Sequence, residues 1–159
     1  MSYVSNIESA RDQRCIFCTK PADDEDQASL ILHRGEAAYI IMNLYPYNTG
    51  HVMVAPYRHV GAIEELTEPE AREIMDLTTS AVEAIKREMK PQGFNLGMNL
   101  GKAAGAGFAE HLHMHIVPRW QGDTNFMPVV GKSKVMPETV EDSYRRLSRS
   151  LAALLKGEG

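Results

Sequence analysis

Long apolar runs are absent from this chain of 159 residues, and none approaches the roughly 18 residues that a membrane-spanning helix needs. A basic segment followed by an apolar stretch is also missing at the N-terminus, since residues 1–12 are polar and mixed in charge. Apolar and charged shares of 43% and 24% are typical of a soluble globular protein. We therefore expect a single domain, 1–159, in the cytoplasm and without a membrane partner.

The sequence also has no cluster of basic residues. The net charge is −4, and lysine and arginine are scattered along the sequence, so we expect no nucleic acid partner. Small anions stay compatible with this composition, because histidines, backbone amides and one or two lysines can bind a phosphate whatever the net charge.

Cysteine is scarce, with two residues, Cys15 and Cys18, in a Cys-x-x-Cys pair. Without a secretion signal, this spacing indicates half of a metal site or a redox pair rather than a structural disulfide. A thioredoxin-like redox pair would open a helix, whereas the following Thr19-Lys20-Pro21 and the acidic run 23–26 are typical of a loop. We therefore favour the metal site, with free thiols as the alternative.

Hydrophobic patterning predicts strands at 29–33, 37–43, 51–56, 94–100 and 112–117. The first three follow one another, which favours antiparallel pairing. A long helix begins at the capping box of Thr67 and Glu70 and ends before Pro91. A C-terminal helix is predicted over 137–155, a loosely packed N-terminal arm over 1–27 with an acidic loop at 19–27, and loops at 101–107 and 121–136.

Half of the six histidines lie in the segment His-Leu-His-Met-His-Ile at 111–116. On a strand, alternate side chains share a face, so His111, His113 and His115 would point one way, starting roughly 6.5 to 7 Å apart. Imidazole can act near neutral pH as a nucleophile, a proton donor or a metal ligand. The pattern predicts an active site, the alternative being a half-exposed strand whose polar face is histidine.

Several segments carry a family resemblance. They are Asn43-Leu-Tyr-Pro-Tyr-Asn-Thr-Gly-His-Val-Met-Val-Ala-Pro-Tyr-Arg-His59, Asn99, and His111-Leu-His-Met-His-Ile-Val-Pro-Arg119. Together they resemble the histidine triad (HIT) superfamily. Ala109-Glu110, Pro118-Arg119-Trp120 and Gly122-Asp123-Thr124-Asn125-Phe126 resemble its diadenosine tetraphosphate (Ap4A) phosphorylase-like branch.

The resemblance covers roughly residues 15–126. It implies an α+β fold, with an antiparallel sheet of about five strands per subunit, one long central helix and a C-terminal helix. It also implies a homodimer that acts on phosphorus in a nucleotide.

The resemblance assigns chemistry to three histidines. The middle histidine of the family motif, here His113, is the nucleophile that attacks a dinucleoside polyphosphate such as Ap4A. The nucleotidyl-histidine intermediate is then discharged by phosphate or water. We expect a backbone carbonyl to hold the proton on the other ring nitrogen of His113. The family's accessory histidines, here His115 and His51, donate hydrogen bonds to phosphate oxygens.

Other positions are assigned to nucleotide binding. The resemblance places Asn43 at the ribose hydroxyls and Asn99 near the scissile phosphate, and Lys102 could reach distal phosphates unless it is simply solvated. Many members carry a glutamine four residues before the first histidine, where this chain has Gly107. Its absence agrees with inorganic phosphate as the acceptor, and the backbone N–H groups of Gly105 and Gly107 could hold that anion.

The resemblance also completes the metal site. Some members bind zinc through a Cys-x-x-Cys pair, a histidine that ends a Pro-x-x-His segment, and the first triad histidine. The corresponding residues here are Cys15, Cys18, His59 and His111. Four protein ligands close a tetrahedral site, so we expect one structural zinc per chain and no catalytic metal on the triad.

Three alternatives stay open. A HIT-type enzyme could instead hydrolyse nucleoside phosphoramidates or adenylyl sulfate. The three histidines could hold a catalytic zinc, although on one straight strand the outer two begin about 13 Å apart. The chain could also be a nucleotide-binding regulatory module with little turnover.

Overall fold

The computed structural model describes residues 15–107, 110–124 and 136–157. The predicted arm at 1–14, residues 125–135 of the predicted loop, and Ala109 of the branch motif lie outside the described residues. Across the described ranges, no helix is long and apolar enough to cross a membrane. The helices and strands are α1 (Ile16–Ala22), α2 (Asp26–Ser29), β1 (Ile31–Arg34), β2 (Ala38–Met42), β3 (Val52–Pro56), α3 (Glu68–Met89), β4 (Gly93–Gly97), β5 (Met114–Arg119) and α4 (Val140–Leu155).

The five strands form one antiparallel sheet in the order β1-β2-β3-β5-β4. Strands β2 and β3 pair along their whole length, from Ala38 opposite Pro56 to Met42 opposite Val52. Every residue of these two strands is buried, which explains why they read as continuous apolar runs rather than alternating ones. The predicted α+β fold is confirmed.

The long helix α3 covers one face of the sheet. It begins at the predicted capping box, in which Thr67 and Glu70 exchange side-chain to backbone hydrogen bonds, and it ends where Lys90 adopts a left-handed conformation. Its buried side chains pack with those of α4 against the sheet in one apolar core. The opposite face, which carries a smaller cluster beside α1, is therefore the face on which a site can form.

Helix α1 extends to Ala22 and α2 begins at Asp26, so the loop predicted at 19–27 is confined to residues 23–25. The Cys-x-x-Cys pair does open a helix, because α1 begins directly after Cys15. Pro21 within this helix has no N–H to donate to the Phe17 carbonyl four residues earlier. The hydroxyl of buried Tyr39 donates to that carbonyl instead, at 2.8 Å. A tertiary contact thus compensates for a residue that indicates a loop in the local sequence.

The histidine strand is also shifted from the prediction. Strand β5 begins at Met114 and runs through Pro118, which pairs with Phe94 of β4. Strand β5 pairs with β3 only as far as Ile116, so Pro118, which has no N–H, breaks no hydrogen bond with β3. His111 and His113 precede the strand and can therefore turn towards different neighbours. Strand β4 and helix α4 are shorter than predicted, since β4 ends at 97 and α4 begins at 140.

Candidate active site and metal centre

Four side chains from distant parts of the sequence meet beside α1. Cys15 Sγ lies 3.4 Å from His111 Nδ1, and Cys18 Sγ lies 3.3 Å from His59 Nδ1. The two Nδ1 atoms are 3.3 Å apart, and Cys18 Sγ is 3.5 Å from His111 Nδ1. Tetrahedral zinc, with bonds of about 2.3 Å to sulfur and 2.0 to 2.1 Å to nitrogen, would separate its ligand atoms by about 3.3 to 3.8 Å. The predicted set is brought together, and this cluster could hold a metal ion.

Neighbouring backbone groups orient these ligands. The first turn of α1 brings Cys18 next to Cys15, whose carbonyl accepts the Cys18 N–H at 3.0 Å. The Pro56 carbonyl lies 2.8 Å from His111 Nε2. Because a carbonyl can only accept, the His111 proton sits on Nε2, and Nδ1 offers its lone pair to a metal.

His113 is buried and held in one tautomer. Its Nδ1 lies 2.9 Å from the His111 carbonyl oxygen, so Nδ1 carries the proton and Nε2 has the lone pair. The ring stacks on Phe17 with 4.5 Å between centroids. Burial lowers the pKa of His113 below its usual value, although the bond to the His111 carbonyl opposes this shift. His113 is therefore a neutral imidazole near pH 7, oriented by a backbone carbonyl as the sequence led us to expect.

His51 and His115 form a hydrogen-bonded pair with a defined direction. The Tyr47 N–H donates to His51 Nδ1 at 3.0 Å, so the proton of neutral His51 sits on Nε2. That atom lies 2.9 Å from His115 Nδ1, which must accept. Burial is the main cause that lowers the pKa of His51 to about 3 and that of His115 to about 4, and the charge of neighbouring histidines adds to it. Both rings are neutral near pH 7, and the pair offers one outward N–H, on His115 Nε2.

A cavity of about 380 Å³ opens in front of His113 and His115. Of the predicted nucleotide-binding residues, it brings together Asn43, Asn99, Gly105 and Gly107. Lys102 does not line it. The described wall contains a different lysine, Lys20 of α1.

The glycine-rich loop forms a 3-10 turn at Lys102–Ala104. The Gly105 N–H, proposed from the sequence as an anion donor, donates to the Lys102 carbonyl at 3.0 Å. Gly107 is then the better candidate of the two glycines for contacting an anion through its backbone.

Three residues of the cavity wall were missed from the sequence. Phe17 contacts both His111 and His113, and its place between the two cysteines was a usable signal. Tyr47 packs on His51 and His115, with centroids 4.6 and 5.8 Å apart, and lies within the segment that carries the resemblance. Lys20 had no such signal, because its position depends on α1 being a helix.

A family model described as the HIT domain matches residues 24–122. Two curated relatives, from the CDC 1551 / Oshkosh and H37Rv strains of Mycobacterium tuberculosis, are each named AP-4-A phosphorylase and are 49% identical over 127 residues. The alignment covers 80% of this chain, which spans 65% of the length of those relatives.

Solved structures show the same fold. A zinc-bound histidine triad family protein from Mycobacterium smegmatis superposes with a TM-score of 0.72 at 24% identity, over 92% of this chain and 99% of that chain. A hypothetical histidine triad nucleotide-binding protein from Sulfolobus tokodaii gives a TM-score of 0.68 at 26% identity, over 88% and 93% of the two chains.

Proposed function

The chain belongs to the HIT family, and we propose that it cleaves dinucleoside polyphosphates such as Ap4A through a covalent nucleotidyl intermediate on His113. The observation that carries this proposal is the tautomer of His113. Its Nδ1 is bonded to a carbonyl at 2.9 Å, so its basic Nε2 is available at the cavity that Asn43, Asn99 and His115 line. An imidazole that is neutral and held in this way is an activated nucleophile without any base beside it.

The bond changes follow from this arrangement. Nε2 of His113 attacks the α-phosphorus of Ap4A, the N–P bond forms, and the bond from phosphorus to the bridging oxygen breaks. ATP leaves with that electron pair. His115, whose outward N–H is fixed by His51, donates to a phosphate oxygen and stabilises its charge. An oxygen of inorganic phosphate then attacks the same phosphorus, which releases ADP and returns the lone pair to His113.

Phosphate is proposed as the acceptor for two reasons. Gly107 stands where many family members carry glutamine, and it lines the cavity, where its backbone can approach a second anion. The two mycobacterial relatives are also named phosphorylases. Hydrolysis, with water in place of phosphate, is the alternative outcome of the same chemistry.

Incubation with Ap4A, with and without phosphate, tests the proposal when the products are separated by chromatography. ADP plus ATP formed only with phosphate is the expected result, AMP plus ATP would instead indicate a hydrolase, and no reaction would refute both. His113→Ala should abolish turnover yet retain nucleotide binding. His33→Ala is the matched control, since His33 lies on β1, away from the cavity.

Mass spectrometry can test the covalent step. Wild-type protein mixed with Ap4A without phosphate and denatured in alkali should carry an AMP adduct on His113. A single-turnover release of ATP with no adduct would contradict the covalent route.

We further propose that the Cys2His2 cluster binds one zinc ion per chain. When bound, zinc would crosslink α1 to His59 and His111, and it would take no part in the reaction because four protein ligands leave no open position. Elemental analysis should find about one zinc per chain in the wild type, and none in Cys18→Ser. Thermal denaturation should show that zinc addition stabilises only the wild type.

A homodimer is proposed on the evidence of one sheet edge. In the described part of the chain, β4 is the last strand at this edge of the sheet, and three of its five residues are exposed, including half-exposed Leu96. Natural proteins rarely leave such an edge bare. Light scattering after size exclusion should give twice the chain mass, and Leu96→Lys should shift it to a monomer. A monomeric wild type would refute this part of the proposal.

A further inference from the structure

A second cavity, of about 410 Å³, adjoins the first on the same face of the sheet, over β4 and β5. Tyr47, Asn99 and His115 line both cavities, so they form the boundary between them. His113 lines only the first. The face therefore offers two compartments, one with the nucleophile and one beyond His115.

Tyr47 is an exposed ring on a fixed backbone. The residue is 57% exposed, and its N–H donates to His51 Nδ1. The next residue, Asn48, is buried and donates to the Pro118 carbonyl at 3.0 Å and to Asp123 at 2.8 Å. Tyr47 is therefore exposed on a segment whose backbone is fixed by these hydrogen bonds. Exposed aromatic rings that are held in place are the usual platforms on which nucleobases stack.

The polar lining of the second cavity suits a neutral group. Arg119 donates to Asn95 Oδ1 at 2.7 Å. Because this oxygen already accepts a hydrogen bond, the NH2 group of the Asn95 side chain is the part that can donate to a ligand. Arg119 also pairs with Asp123 through contacts of 2.8 and 3.0 Å, so its charge is balanced. A cavity whose described lining carries no net positive charge favours a nucleoside over a polyphosphate chain.

We propose that this second cavity binds the leaving nucleoside of a two-nucleoside substrate, with Tyr47 as its stacking platform and Asn95 as a polar contact. The inference rests on the proposed function and adds the part of the substrate that departs. Attack and departure are in line on phosphorus, so the leaving group extends away from His113. It would then pass His115, which stands at the boundary of the second cavity.

The test compares Ap4A with adenosine 5′-tetraphosphate in the presence of phosphate. Attack at the adenosine-bearing phosphorus gives ADP from both compounds, and only the leaving group differs, ATP in one case and triphosphate in the other. Stacking of one base contributes about 1–3 kcal/mol, so we expect kcat/KM to favour Ap4A by about 5- to 160-fold. Tyr47→Ala should bring this ratio close to one, and Tyr47→Phe should retain it.

Tyr45→Ala is the matched control, because Tyr45 lies on the same segment and lines only the first cavity. It should lower activity on both compounds equally and leave the ratio unchanged. An unchanged ratio in Tyr47→Ala would overturn the subsite while leaving the proposed function intact. Calorimetric Kd values measured in the His113→Ala background, which binds nucleotide without turnover, should also favour Ap4A, and this preference should be lost when Tyr47→Ala is added, so the subsite is decided even if the enzyme cleaves neither compound.

Discussion

Replacing Tyr39 by phenylalanine tests how α1 tolerates its proline. The substitution removes the hydroxyl that donates to the Phe17 carbonyl at 2.8 Å and keeps the ring, including its stack on Tyr57. A buried carbonyl that loses its donor costs about 1–3 kcal/mol. For a chain of this size, 1 kcal/mol corresponds to about 2 to 4 °C, so Tm should fall by about 2 to 12 °C.

The double-mutant cycle with Pro21→Ala isolates the cause. Alanine at 21 supplies the N–H that the helix lacks, so the Phe17 carbonyl gains an internal donor. In that background, we expect Tyr39→Phe to cost less than half as much as in the wild type. Urea and thermal unfolding should be followed with zinc in constant excess, because bound metal shifts apparent stability. An equal cost in both backgrounds would refute the reasoning.

Three further predictions concern other parts of the chain. The hydrogen bond from Arg58 is the largest cause that lowers the pKa of Glu70 from 4.5 to about 2. That stabilisation is complete above pH 4.5 and is lost as the pH falls towards 2, so the deficit in the Tm of Glu70→Gln should shrink between about pH 5 and 3. Because the pKa values of His51 and His115 are lowered to about 3 and 4, and burial also lowers the pKa of the nucleophile His113, ATP release in the first turnover should lack the midpoint near pH 6.5 that a free imidazole would give, and such a midpoint would contradict this. Gly50 has φ 76°, so Gly50→Ala should lower the free energy of unfolding by about 1–2 kcal/mol, measured in urea.

Local rules predicted the parts of the fold that local interactions determine. The capping box of Thr67 and Glu70 set the start of α3, and unbroken apolar runs identified β2 and β3 because both strands are buried. The predictions that were wrong depend on contacts between distant segments. Nothing near Pro21 reveals that Tyr39 supplies the missing hydrogen-bond donor. Likewise, nothing near Pro118 reveals that one of its two neighbouring strands has ended.

Contacts between distant segments also explain which features of the site the sequence could not predict. Even spacing of the three histidines predicts one shared face, but the strand begins only at Met114, so the ring of His111 can turn to the cysteines. The His111 carbonyl then accepts from His113 Nδ1 rather than from a neighbouring strand. One residue therefore contributes a ring to the candidate metal centre and a carbonyl to the candidate nucleophile. Phe17, between the two cysteines, adds a second link by packing on both rings, at 5.3 and 4.5 Å. A metal ion that never contacts the substrate would thus still fix the position of His113.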